Sequence, residues 1–151
     1  MHISSRTRAF LNWEVKNIQK FLDEFEHCQN GMKRSVVLGQ TGEYIIVRNY
    51  PLPDRYRPDF MDLLLVVDQY PGNAPVGIYL MNKNNEATIK QISIKFNMFR
   101  NQAHHGAQAI AGYTWVCYHY GAGSDWRFRA DAPQHGDNLR KYIASFYAEL
   151  S

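Results

Sequence analysis

Cys117 and His119 stand one residue apart in the segment Trp115-Val-Cys117-Tyr-His119, between a strand-like run and a glycine-rich turn. A cysteine thiolate is a strong nucleophile whose acyl adduct stays reactive toward amines, and a neighbouring imidazole can accept the thiol proton. Cys117 is therefore a candidate nucleophile. The alternative is a small buried side chain in a strand, which is the usual fate of a free cysteine.

In an extended strand, His119 shares a face with Cys117 and Trp115, while Val116 and Tyr118 face the other way. Side chains at positions i and i+2 stand roughly 6 to 7 Å apart, too far for a direct hydrogen bond without a turn. We therefore expect His119 either to assist the thiol or to be a purely structural histidine.

Three further residues are candidates for the same site. Asp125 follows the glycine-rich turn, where a carboxylate can position or deprotonate an incoming amine, although Gly-Ser-Asp also suits a simple turn or helix cap. Asn101 and His104 lie in a long polar stretch and are candidates for a flap on the acceptor side of the site, against a plain solvated loop. No Cys-x-x-Cys or His-Glu-x-x-His motif accompanies His104-His105, so the sequence predicts neither a metal nor a cofactor.

Composition limits the class of protein. The chain has 151 residues and 45% apolar content, which predicts one domain over residues 1–151 with a sizeable core. A net charge of +3 is too small to indicate nucleic-acid binding. No run approaches the roughly 18 apolar residues of a membrane span, and two cysteines indicate no disulfide framework. We expect a soluble protein of a reducing, cytoplasmic compartment.

The elements that position these residues follow from hydrophobic spacing. A first helix is predicted by apolar residues that recur every three or four positions, with Glu14 among the polar residues of the other faces, and we expect it to end at Asn30-Gly31. The apolar residues of this helix are Leu11, Val15, Ile18, Leu22 and Phe25.

Three β-rich runs come next and predict an antiparallel meander, and the proline-rich stretch 51–58 acts as a breaker. These runs are Ser35–Leu38, Glu43–Arg48 and Phe60–Val67. A further strand is predicted at Val76–Leu80, after Tyr70-Pro71 and Pro75, which fix a turn.

The stretch 82–112 is long enough to require a short strand at Ile89–Phe96 or a functional flap. Tyr113–Tyr120 is the last predicted strand, and Trp126 is a core or lid aromatic. A terminal helix is indicated by the spacing of Leu139, Ile143, Phe146 and Leu150. The order of elements predicts an α+β fold.

The order of these landmarks resembles that of ubiquitin-conjugating enzymes: a tyrosine-proline pair after an apolar strand, a second proline, a long flap, a cysteine-bearing strand and a tryptophan before the last helix. The chain is most similar to the prokaryotic ubiquitin-conjugating-enzyme-like family E over roughly residues 35–150. That likeness is carried by Asn49-Tyr50-Pro51-Leu52-Pro53-Asp54-Arg55-Tyr56, Trp115-Val-Cys117-Tyr-His119, Trp126-Arg127 and Asp137-Asn-Leu139.

The resemblance implies a carrier enzyme of a bacterial ubiquitin-like conjugation pathway. Cys117 would accept the modifier from an adenylating activating enzyme, which uses the ATP, and pass it to an amine of an unidentified acceptor protein. The chain departs from the familiar enzymes in lacking a His-Pro-Asn motif before the cysteine, and Asn101-Gln-Ala-His104 is the nearest counterpart. An inactive module that binds a ubiquitin-like protein or scaffolds a complex is the first alternative, and an unrelated α+β binding domain is the second.

Overall fold

The computed structural model describes residues 3–26, 31–100, 103, 106–120 and 126–151. Within these residues the chain forms one antiparallel sheet with an α-helix before it and another after it. The strands β1 to β6 are Ser35–Leu38, Tyr44–Pro51, Phe60–Val66, Ile78–Met81, Met98–Phe99 and Tyr113–Val116. Their order in the sheet is β1-β2-β3-β4-β6-β5. The first three strands form the predicted meander, β4 continues it, and the α+β class is confirmed.

Helix α1 spans Ser5–Leu22 and begins at Ser4, whose hydroxyl accepts a hydrogen bond of 3.1 Å from the Thr7 N–H. The predicted end at Asn30-Gly31 is wrong, because the helix stops at Leu22. The apolar spacing continues to Phe25 because the turn after the helix brings that ring back onto the core, edge to face with Phe21.

Helix α3 spans Leu139–Leu150, as the spacing predicted. It begins at Asn138, whose side chain accepts a hydrogen bond of 3.0 Å from the Lys141 N–H. Its four apolar residues of the predicted face are fully buried. Helix α1 packs against α3, β1 and β2, and the main core lies between these helices and the sheet.

The strand predicted at Ile89–Phe96 is wrong. Residues Glu86–Ile92 form a short helix, α2, which buries Ile89 and Ile92 on one side, and β5 comes later at Met98–Phe99. Loop length indicates that structure is needed in this stretch but not whether it is a helix or a strand, and Ile94, in the middle of the predicted strand, is 84% exposed.

Strand boundaries also differ from the predictions at the ends that matter for the site. β2 continues past the predicted end at Arg48 and a register shift after Val47 to Pro51, and the proline-rich stretch separates it from β3 as predicted. β4 begins at Ile78 because Gly77 has a φ of +83°, which is not strand geometry. β6 ends at Val116, since only residues 113–116 pair with β4.

The two faces of the sheet are covered differently. The face toward α1 and α3 holds the main core, whereas the opposite face carries a smaller cluster of Leu64, Tyr79 and Trp115. Ala107 and Ile110, from the chain before β6, pack over part of that cluster. No helix in the described part of the chain is long and apolar enough to cross a membrane.

Candidate functional site

Cys117 is the first residue after β6 and lies at the end of the sheet. Its N–H donates a hydrogen bond of 2.9 Å to the carbonyl of Asn97, which fixes the backbone beside the strand. The side chain is partly buried and packs with Trp115 on the outer face, while Val116 and Tyr118 belong to the main core. The predicted alternation of faces along this segment is confirmed.

The Cys117 Sγ lies 3.4 Å from the His119 Nε2, so the expectation that these groups are too far apart for direct contact is wrong. The physical reason is that β6 ends at Val116, and beyond that residue no sheet pairing imposes the spacing of an extended strand. At this distance an imidazole nitrogen in its acceptor tautomer can take the thiol proton and leave a nucleophilic thiolate.

Both side chains open into a groove of about 360 Å³. One wall is the chain segment 69–77, which we call the proline wall, and the other is formed by Tyr120 and Trp126. Of the predicted turn residues, Pro75 lines the groove, and Pro71 contacts it through the hydrogen bond from Trp126 to its carbonyl oxygen. The groove gives an extended chain access to the thiol.

Three aromatic side chains hold the proline wall by its backbone carbonyls. The indole Nε1 of Trp115 donates to the Val76 oxygen at 2.7 Å, and that of Trp126 donates to the Pro71 oxygen at 2.8 Å. The Tyr142 hydroxyl, fully buried in α3, lies 3.1 Å from the Gly77 oxygen. Buried carbonyls without such donors are costly, so each tether stabilises one shape of the groove.

Gly77 permits this close packing. A Cβ at this position would lie 2.3 Å from the Trp115 Nε1 and 2.5 Å from the Val116 oxygen, and the positive φ is itself unfavourable for other residues. The glycine thus brings the proline wall against the strand that leads to Cys117.

Asp137 holds the second wall of the groove from behind. Its Oδ1 accepts a hydrogen bond of 2.8 Å from the Tyr120 hydroxyl, and its Oδ2 accepts one of 2.7 Å from the Arg127 N–H. Burial and the adjacent Asp137 carboxylate raise the pKa of Tyr120, so this tyrosine stays protonated and a donor at physiological pH. The resemblance noted Asp137 only as a motif residue, and its role as a clamp depends on the tertiary structure.

Several predicted residues cannot be placed. Asp125, Asn101, His104 and Cys28 lie outside the described residues. The structure therefore brings together Cys117, His119, the proline wall and Trp126. The roles of Asp125, Asn101 and His104 at this site stay predictions. In the described part of the chain no group of three or more His, Cys, Asp or Glu side chains is arranged to hold a metal ion.

The prediction that Glu14 lies on a polar face of the first helix is wrong. The residue is fully buried, and its Oε1 accepts a hydrogen bond of 3.1 Å from the N–H of Leu139 at the start of α3. Burial raises its pKa to about 7, and contacts with the Tyr70 hydroxyl and Leu139 only partly oppose that rise. Neither Glu14 Oε2 nor the Tyr70 hydroxyl makes a hydrogen bond of regular geometry.

The signal for Glu14 was present in the spacing. Position 14 falls between Leu11 and Ile18 at intervals of three and four, which is the buried stripe of α1. A glutamate is normally expected on a polar face because it is charged, and here the position within the buried stripe is the better guide.

Comparisons of the chain with protein-family models, curated proteins and solved structures give no match.

Proposed function

We propose that this chain is a ubiquitin-conjugating-enzyme-like carrier that holds the C-terminus of a ubiquitin-like protein on Cys117 as a thioester. The observation that carries the proposal is the contact of 3.4 Å between the Cys117 thiol and the His119 imidazole inside an open groove. The landmarks of the resemblance, Tyr70-Pro71, Pro75, Cys117 and Trp126, are far apart in sequence, and the segments that carry them enclose this one thiol. That convergence supports the resemblance.

The chemistry needs two acyl transfers. In the first, His119 accepts the Cys117 proton, the Sγ attacks the carbonyl carbon of a thioester on the activating enzyme, and that enzyme's thiolate leaves and is protonated. In the second, an acceptor amine attacks the same carbonyl, an amide bond forms, and the Cys117 thiolate leaves and takes up the proton that the amine nitrogen loses. The activating enzyme consumes ATP, and this chain needs no cofactor of its own.

The proline wall and the opposite wall of Tyr120 and Trp126 serve this chemistry in two ways. They exclude water from one side of the thioester, and they align an extended tail with the Sγ. A groove held by fixed hydrogen bonds loses little entropy when the tail binds. Asp125 is retained as a candidate for positioning the acceptor amine, with Asn101 and His104 on the flap side.

The direct test is the intact mass of the protein after incubation without reductant with ATP, a cognate activating enzyme and its ubiquitin-like partner. We expect an added modifier mass on Cys117 that reducing agent removes. Cys28→Ala should keep the adduct, Cys117→Ala should lose it, and Cys117→Ser should form a more stable oxyester.

The missing His-Pro-Asn motif favours a second candidate, an inactive module that binds a ubiquitin-like protein without a covalent bond. If the activating enzyme carries the modifier and this chain binds the modifier, but no adduct forms on this chain, the chain belongs to that second class. The third alternative, an unrelated binding domain, gains support if Cys117 is fully buried and does not react with alkylating reagents. Cys117 is only partly buried, and its reactivity is the remaining test.

A further inference from the structure

A second cavity, of about 460 Å³, lies on the outer face of the sheet at the same end as Cys117. It is formed where β2 begins at Tyr44, where β3 ends at Val66, and where the chain approaches β4 at Val76. Gln69 and Val76 line both this cavity and the Cys117 groove. The two spaces are therefore neighbours along one end of the sheet.

The lining of this cavity is apolar with a negative rim. Tyr44 and Val76 expose 39% and 38% of their surface. The carboxylates of Glu43 and Asp68 have no ion-pair partner among the described residues, and no lysine or arginine belongs to the described lining.

Asp68 acts on the apolar wall directly. The pKa of Tyr79, whose hydroxyl donates to the Gln108 oxygen at 2.6 Å, is raised first by burial and further by the charge of Asp68. The carboxylate thus lies close enough to the wall to act on an occupant of the cavity.

We propose that this cavity binds a lysine or arginine side chain of the C-terminal segment whose last carboxyl group is carried on Cys117, an inference that rests on the proposed function. A long cationic side chain matches the lining, because its aliphatic stem packs on Tyr44 and Val76 while its charged head reaches Glu43 and Asp68. The tyrosine rings also favour a cation over a neutral side chain.

The sheet fixes where that residue must lie in the tail. From β6, across β4 and β3 to the edge of β2, there are two to three strand spacings, or about 10 to 14 Å. An extended peptide advances about 3.3 Å per residue. The cationic residue therefore precedes the terminal residue by about three or four positions.

The test uses two fluorescent peptides that end in Gly-Gly and carry either lysine or norleucine three residues before the last glycine. Binding to Cys117→Ala, measured by anisotropy at low salt, should be about two- to tenfold tighter for the lysine peptide, and the difference should shrink at high salt. The double variant Glu43→Gln/Asp68→Asn should remove the preference. Asp54→Asn/Asp59→Asn, which removes the same number of negative charges before the opposite end of β3, should keep it.

Equal binding of the two peptides, or a lysine preference that survives Glu43→Gln/Asp68→Asn, would overturn the inference. The same peptides supplied as C-terminal thioesters separate it from the proposed function. Faster acylation of Cys117 by the lysine thioester supports both, and acylation at equal rates leaves the carrier function and overturns the cavity assignment.

Two other outcomes are also decisive. In the first, neither thioester acylates Cys117, but anisotropy still shows tighter binding of the lysine peptide. This result overturns the carrier function and keeps the cation site. In the second, the two tail peptides behave alike, and only acceptor amines with neighbouring cationic residues are preferred. This result assigns the cavity to the acceptor and overturns the inference.

Discussion

The indole nitrogen of Trp126 donates a hydrogen bond of 2.8 Å to the carbonyl oxygen of Pro71, 55 residues earlier in the chain. This bond joins the two walls of the groove into which Cys117 opens. The shape of the site therefore depends on a contact that lies beyond the thiol and the imidazole.

Replacing Trp126 with phenylalanine removes this donor while keeping an aromatic ring. We expect the free energy of unfolding to fall by about 1 kcal/mol, the net contribution of one hydrogen bond, and the alkylation rate of Cys117 by iodoacetamide to change as the walls separate. Urea unfolding and timed mass spectrometry measure the two effects. Trp13→Phe is the matched control, because its indole N–H has no hydrogen bond among the described residues. An unchanged alkylation rate in Trp126→Phe would show that the bond does not shape the groove.

His119→Ala should slow the alkylation of Cys117 at neutral pH by roughly fivefold, since the loss of a partly exposed contact is worth about 1 kcal/mol. The measurement uses a Cys28→Ser background, in which Cys117 is the single thiol. His135→Ala, an exposed histidine of the turn before α3, should leave the rate unchanged. Equal rates for His119→Ala and the parent protein would remove His119 from the site.

Glu14 predicts a pH dependence of stability. The pKa of its carboxyl is about 7 in the folded protein, against an ordinary value of 4.5, so between these values the folded state binds more protons than the unfolded state. Stability must therefore fall as the pH rises from about 4.5 to about 7, by on the order of 3 kcal/mol in total, and stay level above that range.

Glu14→Gln should abolish that component, because a neutral amide can still accept the hydrogen bond from Leu139. We expect the variant to be more stable than the parent protein at pH 8 and similar to it near pH 4.5, as measured by urea unfolding at intervals of one pH unit. Glu149→Gln, an exposed glutamate of α3, controls for the change in net charge. A difference between Glu14→Gln and the parent that stays constant with pH would contradict the buried ionisation.

Gly77→Ala should be strongly destabilising, because the new Cβ would collide with Trp115 and with the Val116 carbonyl. Gly112→Ala provides the matched comparison: its φ of +85° is nearly the same, and nothing lies within 4 Å of the added carbon. We expect Gly112→Ala to cost about 1 kcal/mol from backbone strain alone, and Gly77→Ala to cost more and to alter Cys117 alkylation. If Gly77→Ala and Gly112→Ala lower the free energy of unfolding equally, the proline wall moves freely away from the added carbon.

Local patterns in the sequence were sufficient for the existence of α1 and α3 and for the meander. The spacing of Leu139, Ile143, Phe146 and Leu150 predicted α3 because all four residues are buried on one stripe, and β1 was predicted with its observed bounds. Helix α2 was missed because its seven residues offer only one interval of helical spacing, between Ile89 and Ile92.

The site was predictable in composition but not in geometry. Cys117 and His119 could be named from chemistry, yet their contact depends on where β6 stops pairing with β4, which is a long-range property. The second cavity had no local signal, since Glu43, Asp68 and Val76 meet only when three strands share one end of the sheet.

The Tyr142 tether also bears on protein synthesis. The wall that faces Cys117 is held by a hydroxyl from α3, and Tyr142 follows Gly77 by 65 positions. A nascent chain that has already exposed its thiol has no finished groove until the last helix has been made and has docked. An incomplete polypeptide without α3 therefore lacks the hydroxyl that holds this wall beside the thiol.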